Sequence, residues 1–159
     1  MKSVQLDSIH NIVIPDGVDG ERVIDSLFLT EYGIILIEKY QTEGHLYGSE
    51  EIDMWTQIVR GRSYQFTNPL HHIHTSRQAL ANISTKVNIH TWVVLCAKAD
   101  FPKGQPKDVF LVDDLSKKIN QLRKQNKTDH FAKFHWDKIT EIAEQYQPQV
   151  VEYGHNSER

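Results

Sequence analysis

The chain has 159 residues, of which 39% are hydrophobic and 25% charged, with a formal net charge of −3. That length holds one domain with its own core and is short for two; the composition excludes a disordered chain, and the acidic balance argues against a protein that coats nucleic acid indiscriminately. No apolar run nears the roughly 20 residues of a membrane span, the first residues lack the apolar core of a signal peptide, and the lone Cys96 excludes an intrachain disulfide and argues against a cysteine-based zinc site, so the expectation is a cytoplasmic protein with no membrane partner.

Taken in chain order, residues 12–14 (Ile12, Val13, Ile14) predict a short strand closed by the turn Pro15-Asp16-Gly17, with loop to Gly20. Residues 23–29 are rich in strand formers. Glu31-Tyr32-Gly33 is the turn into residues 34–40, whose nearly continuous apolar character suits a strand buried on both faces. A minor strand fits His45-Leu46-Tyr47 between Gly44 and Gly48. Residues 51–62 stay open: Ile52, Trp55 and Val59 approach helical spacing, while residues 55–59 also suit a strand.

Asn68-Pro69 is a helix start, asparagine at the N-cap and proline at the first helical position. That helix should reach about Ser84 with Leu70, Ile73, Leu80 and Ile83 facing inward. Strands are expected at residues 91–96 and 108–112. Asp114 is read as the N-cap of a helix marked by Leu115, Ile119 and Leu122. A last helix should cover residues 135–146 and end before Pro148, leaving 154–159 as a disordered tail after a single domain at 1–153. Strands first, then helices alternating with strands, give an α/β fold: a mixed central β-sheet containing a β-hairpin or meander and flanked by helices.

The hairpin carries the most chemistry. Side chains alternate along a strand, so Val23, Asp25, Leu27 and Leu29 should share one face, and Leu36, Glu38 and Tyr40 one face of the next strand, with Lys39 opposed. An even connection puts Asp25 opposite Glu38. An odd one, ending in a left-handed Gly33, puts Lys39 there instead. Facing carboxylates repel and invite a hard cation such as Mg²⁺. The competing arrangement has both acids near strand ends, solvated or paired with Arg22 or Lys39.

In order along the chain, Val23-Ile24-Asp25-Ser26, Tyr32-Gly33-Ile34, Leu36-Ile37-Glu38-Lys39, Gly44, Gly48, Trp55 and Asn68-Pro69-Leu70 resemble the nuclease-related domain (NERD) family, and His10 fits its upstream part. The resemblance covers residues from His10 to Leu80, with a looser fit at Val93-Val94-Leu95. The family is similar to PD-(D/E)xK nucleases with a restriction-endonuclease-like core. The resemblance implies that Asp25 and Glu38 form the acidic pair, holding Mg²⁺ (Mn²⁺ as substitute) for hydrolysis of a DNA phosphodiester. It also favours the even connection. A lysine two residues after the glutamate would complete the motif. Tyr40 stands there, and Lys39 comes one residue early. Where the family carries a glutamine on the following helix stands His72, and the glutamate-bearing helix with which relatives begin would precede Met1.

The expected roles follow from the resemblance. Asp25 and Glu38 hold metal, Lys39 or Tyr40 contacts the water or phosphate, and His72 orients a substrate group. Hydrolysis is expected to be weakened or lost. DNA backbone contacts fall to Lys117, Lys118, Arg123, Lys124 and Lys127, whose other reading is a solvated helix surface. The rival is a catalytically inactive pseudo-nuclease serving as a protein-interaction or oligomerisation module, perforce a homo-oligomer where its partner is itself.

The remaining candidates read as structure. His71 and His74 are three apart on a helix and roughly co-facial, with His72 elsewhere, so the three cannot form one ligand set. Trp55, Trp92 and Trp136 suit packing, Tyr64 and Phe66 the burial of a loop, and Cys96 a small buried apolar position. No phosphate-binding or dinucleotide glycine motif is present.

Overall fold

The structure is a computed structural model that describes residues 5–157, from residue 147 on as backbone alone. The elements run β1 (Gln5–Pro15), β2 (Glu21–Thr30), β3 (Gly33–Tyr40), β4 (Gly44–Tyr47), β5 (Met54–Val59), β6 (Arg62–Thr67), α1 (Pro69–Ile83), β7 (Ile89–Leu95), β8 (Ala99–Asp100), β9 (Val109–Leu111), α2 (Leu115–Gln125) and α3 (Ala132–Ser157). Five strands form a mixed sheet in the order β1-β2-β3-β7-β9, and four form a second sheet in the order β6-β5-β4-β8. The fold is therefore the mixed α/β arrangement expected from the sequence. Among the described residues no helix is long and apolar enough to cross a membrane.

Two apolar clusters sandwich the five-stranded sheet. On one face Leu27, Leu29, Ile34 and Leu36 pack with Leu70, Ile73 and Leu80 of α1, Trp136 and Ile139 of α3, and Leu46 and Trp55 of the second sheet. On the other face Ile35, Ile37, Trp92 and Val94 meet Ile119 and Leu122 of α2. The continuous apolar run of β3 is thus explained: it is a central strand covered on both sides.

The β2–β3 connection is the two-residue turn Glu31-Tyr32, with Leu27 opposite Leu36 and Leu29 opposite Ile34. This even register carries Asp25 toward Glu38. Strict alternation, however, fails next to Asp25. Ile24 and Leu27, three apart, join the same core cluster, while Val23 is exposed. On β1, Ile9 and Ile12 do the same. The break lies at Asn11, left-handed at φ 53°, between the pairs His10–Ser26 and Ile12–Ile24. Asparagine tolerates that conformation. The shared-face grouping of Val23, Asp25 and Leu27 is corrected accordingly: both strands switch faces where Asp25 sits.

Several further expectations change. β1 runs for 11 residues rather than three. Residues 54–67 form a hairpin whose turn, Arg60-Gly61, has φ of 52° and 74°, as a type I′ turn requires. Phe66 on β6 packs against the core, but Tyr64 is exposed. Cys96 is half-buried, just beyond β7. Asp114 stands at the α2 N-cap without a side-chain capping bond. α3 continues through Pro148 to Ser157; a proline removes one helical hydrogen bond and need not end a helix. Of the expected tail, residues 158–159 lie outside the described residues. The three tryptophans are buried as predicted.

A candidate acidic site held by two serines

Asn68 fixes the helix that builds one wall. Its side chain accepts from Leu70 N (2.8 Å) and donates to the carbonyls of Ser49, Glu50 and Ile52, anchoring the β4–β5 loop on the start of α1. Four residues apart on that helix, His72 and Ser76 present one face to the sheet. The face they meet is that of Leu36, Glu38 and Tyr40.

Glu38 is only 4% exposed. Its carboxylate accepts three hydrogen bonds: from Tyr40 Oη (3.0 Å) and His72 Nδ1 (2.7 Å) at Oε2, and from Ser76 Oγ (3.1 Å) at Oε1. Ser76 is fully buried and also accepts from Arg22 Nε at 2.7 Å. An arginine can only donate, so the one hydroxyl proton of Ser76 must point at Glu38. Arg22 reaches on to the His72 carbonyl (2.8 Å).

Asp25 is held by a parallel device. Its Oδ1 accepts from Ser26 Oγ (3.1 Å), and its Oδ2 from the Lys39 amide (2.8 Å). Ser26 is 2% exposed and lies 2.9 Å from His10 Nδ1. With the Ser26 proton committed to the carboxylate, His10 Nδ1 must carry a hydrogen. Each acid is thus gripped by a buried serine whose proton is steered by a basic side chain behind it.

The other expected residues fall as follows. Lys39 is exposed and points away from Glu38, its ammonium 3.9 Å from Asp25 Oδ1; a contact of that length in water contributes little. Tyr40, at the position of the missing lysine, meets Glu38 directly, while its carbonyl accepts from Cys96 N at 2.9 Å. Burial, and then the Glu38 charge, push its phenol well above the ordinary tyrosine range. It therefore remains a neutral donor. His71 binds the Glu50 carbonyl and faces Asp53. The basic residues Lys117, Lys118, Arg123, Lys124 and Lys127 lie on α2 and just after it, on the sheet face opposite α1, and Lys118 sits over the Phe110 ring (5.0 Å).

Asp25, Glu38, Arg22, Lys39, Tyr40 and His72 line a cleft of about 500 Å³, with left-handed Asn11 on its rim. Ser76 and Asn11 were not singled out from the sequence, and Ser26 entered only within the family motif, without a role; Ser76 carried a signal, one helical turn after His72. Among the described residues no group of three or more His, Cys, Asp or Glu could hold a metal ion. The carboxylates still suit a hard cation in part: among the described residues Glu38 Oε1 and each Asp25 oxygen accept a single hydrogen bond, leaving lone pairs for a metal. Mg²⁺ is commonly held by one or two carboxylates, with water and substrate phosphates completing its shell.

A mixed α/β core with two carboxylates on adjacent strands at an open cleft is the arrangement of a nuclease-like domain. The family model of the nuclease-related domain matches residues 5–96, more than half of the chain, and the chain belongs to that family. PD-(D/E)xK nucleases are its wider context. An uncharacterized protein of Bacillus anthracis is 32% identical over 63 residues, 40% of this chain and 30% of that protein. The chain therefore spans less than a third of the length of that curated relative. No solved structure matches the chain significantly.

Proposed function

We propose that the domain binds DNA at the Asp25–Glu38 cleft and retains a weakened, Mg²⁺-assisted phosphodiester hydrolysis. The observation that carries this reading is the construction of the acid pair: two carboxylates line one cleft, each bonded by the hydroxyl of a buried serine. Such an outlay of buried polar groups has no packing rationale, because apolar residues of similar size would fill the space at lower cost.

Asp25 and Glu38 would hold the cation, which when bound makes a coordinated water more acidic and stabilises negative charge on the phosphodiester. Arg22 and Ser76 orient the Glu38 carboxylate. His72, half-exposed on the cleft, commits its Nδ1 hydrogen to Glu38, so its contact with a substrate group would come from the other ring nitrogen. Tyr40 offers a hydrogen bond where relatives offer a cation. The weakening lies there, since a phenol carries no positive charge in either protonation state. Lys117 to Lys127 lie across the sheet and would contribute general attraction to DNA rather than contacts within the cleft.

The test is cleavage of plasmid DNA by the purified protein in Mg²⁺ and in Mn²⁺, with Asp25→Ala and Glu38→Ala as controls and binding followed by fluorescence anisotropy. Slow nicking that disappears in both variants is expected. The pseudo-nuclease reading has one specific support: Glu38 Oε2 already takes two protein donors. It gains if the wild type binds DNA without cleaving it in either metal.

A further inference from the structure

Beside the acidic cleft lies a second groove of about 640 Å³, and Tyr40 and His72 line both. The two spaces differ in chemistry. The cleft holds the charges: Arg22, Lys39, Asp25 and Glu38. Apart from His72, the groove has no charged side chain. Its walls carry Gln41, Thr42, Gln57 and Phe66. Gln57 is anchored through Nε2 to the Glu43 carbonyl (2.8 Å), which fixes its amide plane. Its Oε1 meets no protein donor among the described residues. Phe66 is held edge-on to Trp55, with ring centroids 6.0 Å apart.

A phosphate is best met by positive charge, and apart from His72, which it shares with the cleft, the groove has no basic side chain. A nucleobase suits aromatic side chains and a few fixed hydrogen-bonding groups, and the groove is lined by Phe66, the Gln57 amide and the Thr42 hydroxyl. Its size is that of a small-molecule site, too small for a duplex. A base still paired in a duplex has its hydrogen-bonding edge occupied and cannot enter without leaving the stack.

We infer that this groove is a nucleoside subsite: it takes an unpaired base of the strand whose phosphate lies at the acidic cleft, so that the domain prefers DNA with a single-stranded end over blunt duplex. The inference rests on the proposed DNA-binding function and adds the structural class of the substrate. Tyr40 and His72 form the sill between the two spaces, so one strand crosses from groove to cleft without a break.

The experiment measures binding of labelled DNA to the full chain by anisotropy, with Ca²⁺ in place of Mg²⁺. Three probes of equal strand length are compared: a blunt duplex, a duplex with a short overhang, and the same overhang made wholly of abasic nucleotides. The normal overhang should bind about tenfold more tightly than the blunt duplex, the size of one stacked base. The abasic overhang keeps every phosphate and should fall back to the blunt value. Thr42→Phe, which fills the groove, should also abolish the preference while leaving blunt-duplex affinity unchanged. The subsite is overturned if blunt and overhang probes bind alike, or if the abasic overhang binds as tightly as the normal one, since phosphate attraction then accounts for the preference. If none of the three probes binds, the DNA-binding function itself falls.

Discussion

Ser76→Ala isolates the device that holds Glu38. The hydroxyl takes a hydrogen bond from Arg22 Nε at 2.7 Å and gives one to Glu38 Oε1 at 3.1 Å, at a fully buried position. Bonds to charged groups contribute about 1.5–3 kcal/mol each. The Glu38 bond is lost outright, because water cannot easily replace it at 4% exposure. The Arg22 bond is lost more cheaply, since the guanidinium is part-exposed and keeps the His72 carbonyl. Together they amount to about 3 kcal/mol, which lowers the melting temperature of a chain of this size by roughly 6–12 °C. Urea unfolding followed by circular dichroism gives the free energy, and an unchanged slope with denaturant shows that only stability has moved. Thr75→Ala, next to it on the exposed face of α1, should cost no more than about 0.5 kcal/mol. In a double-mutant cycle with Glu38→Gln, the Ser76→Ala penalty should shrink by at least half. A Ser76→Ala protein as stable as wild type, or a cycle with strict additivity, would falsify the claim that Ser76 secures the Glu38 side chain.

Tyr40 adds a pH signature. Its folded pKa is raised, so its contribution to stability is fully present below the ordinary tyrosine value near about 10 and is lost as pH rises from there toward the folded value; Tyr40→Phe should flatten that alkaline loss, and an unchanged slope would contradict the assignment. Tyr40→Lys restores the (D/E)xK pattern and should raise metal-dependent nicking at least about tenfold, within the range of one well-placed catalytic group. Nitrogen-15 NMR should find hydrogen on His10 Nδ1, and Ser26→Ala should release that preference. Gly61→Ala forces an L-residue to φ 74° although a Cβ there meets nothing within 4 Å, so a loss of about 1 kcal/mol is expected from backbone strain alone; a neutral effect would mean that the turn can change type.

What the sequence disclosed is what alternation and turn chemistry encode. The β2–β3 hairpin and the Asn68-capped helix were readable, because buried strands and helix starts constrain residue type strongly, whereas the register that sets Asp25 against Glu38 stayed open between an even and an odd connection until the family resemblance favoured the even one. The second sheet was harder to read. Five of the six β6 residues are exposed, so no apolar pattern marks the strand, and Arg60 is an unusual residue for a left-handed turn position. The face switch at Asn11 and Asp25 could not be read either, since it is a property of two paired strands and not of either alone. The serines were silent for another reason: a hydroxyl suits a surface as well as a core, and only the arrival of Arg22 and His10 from distant segments reveals which way their protons point.

The positive charge around the two acids is unevenly shared, and this bears on how the site would load. Lys39 stands near Asp25, whereas among the described residues Glu38 has no direct Lys or Arg partner: Arg22 is separated from it by the Ser76 hydroxyl. In the usual motif a lysine meets the glutamate's side of the site, and here that position offers a neutral phenol. Two carboxylates, with Lys39 largely solvated and Arg22 turned to Ser76 and the His72 carbonyl, make a poor home for a phosphate alone. With only two ligands they make an incomplete one for Mg²⁺ alone. Each guest lacks what the other supplies, since the phosphate completes the cation's shell and the cation screens the acids from the phosphate. On the proposed function, metal and DNA should therefore bind cooperatively, and by linkage each must raise the other's affinity by the same factor. Titrating Mg²⁺ with and without a short oligonucleotide measures that factor. A value of one would mean that the acids and the DNA do not share a site.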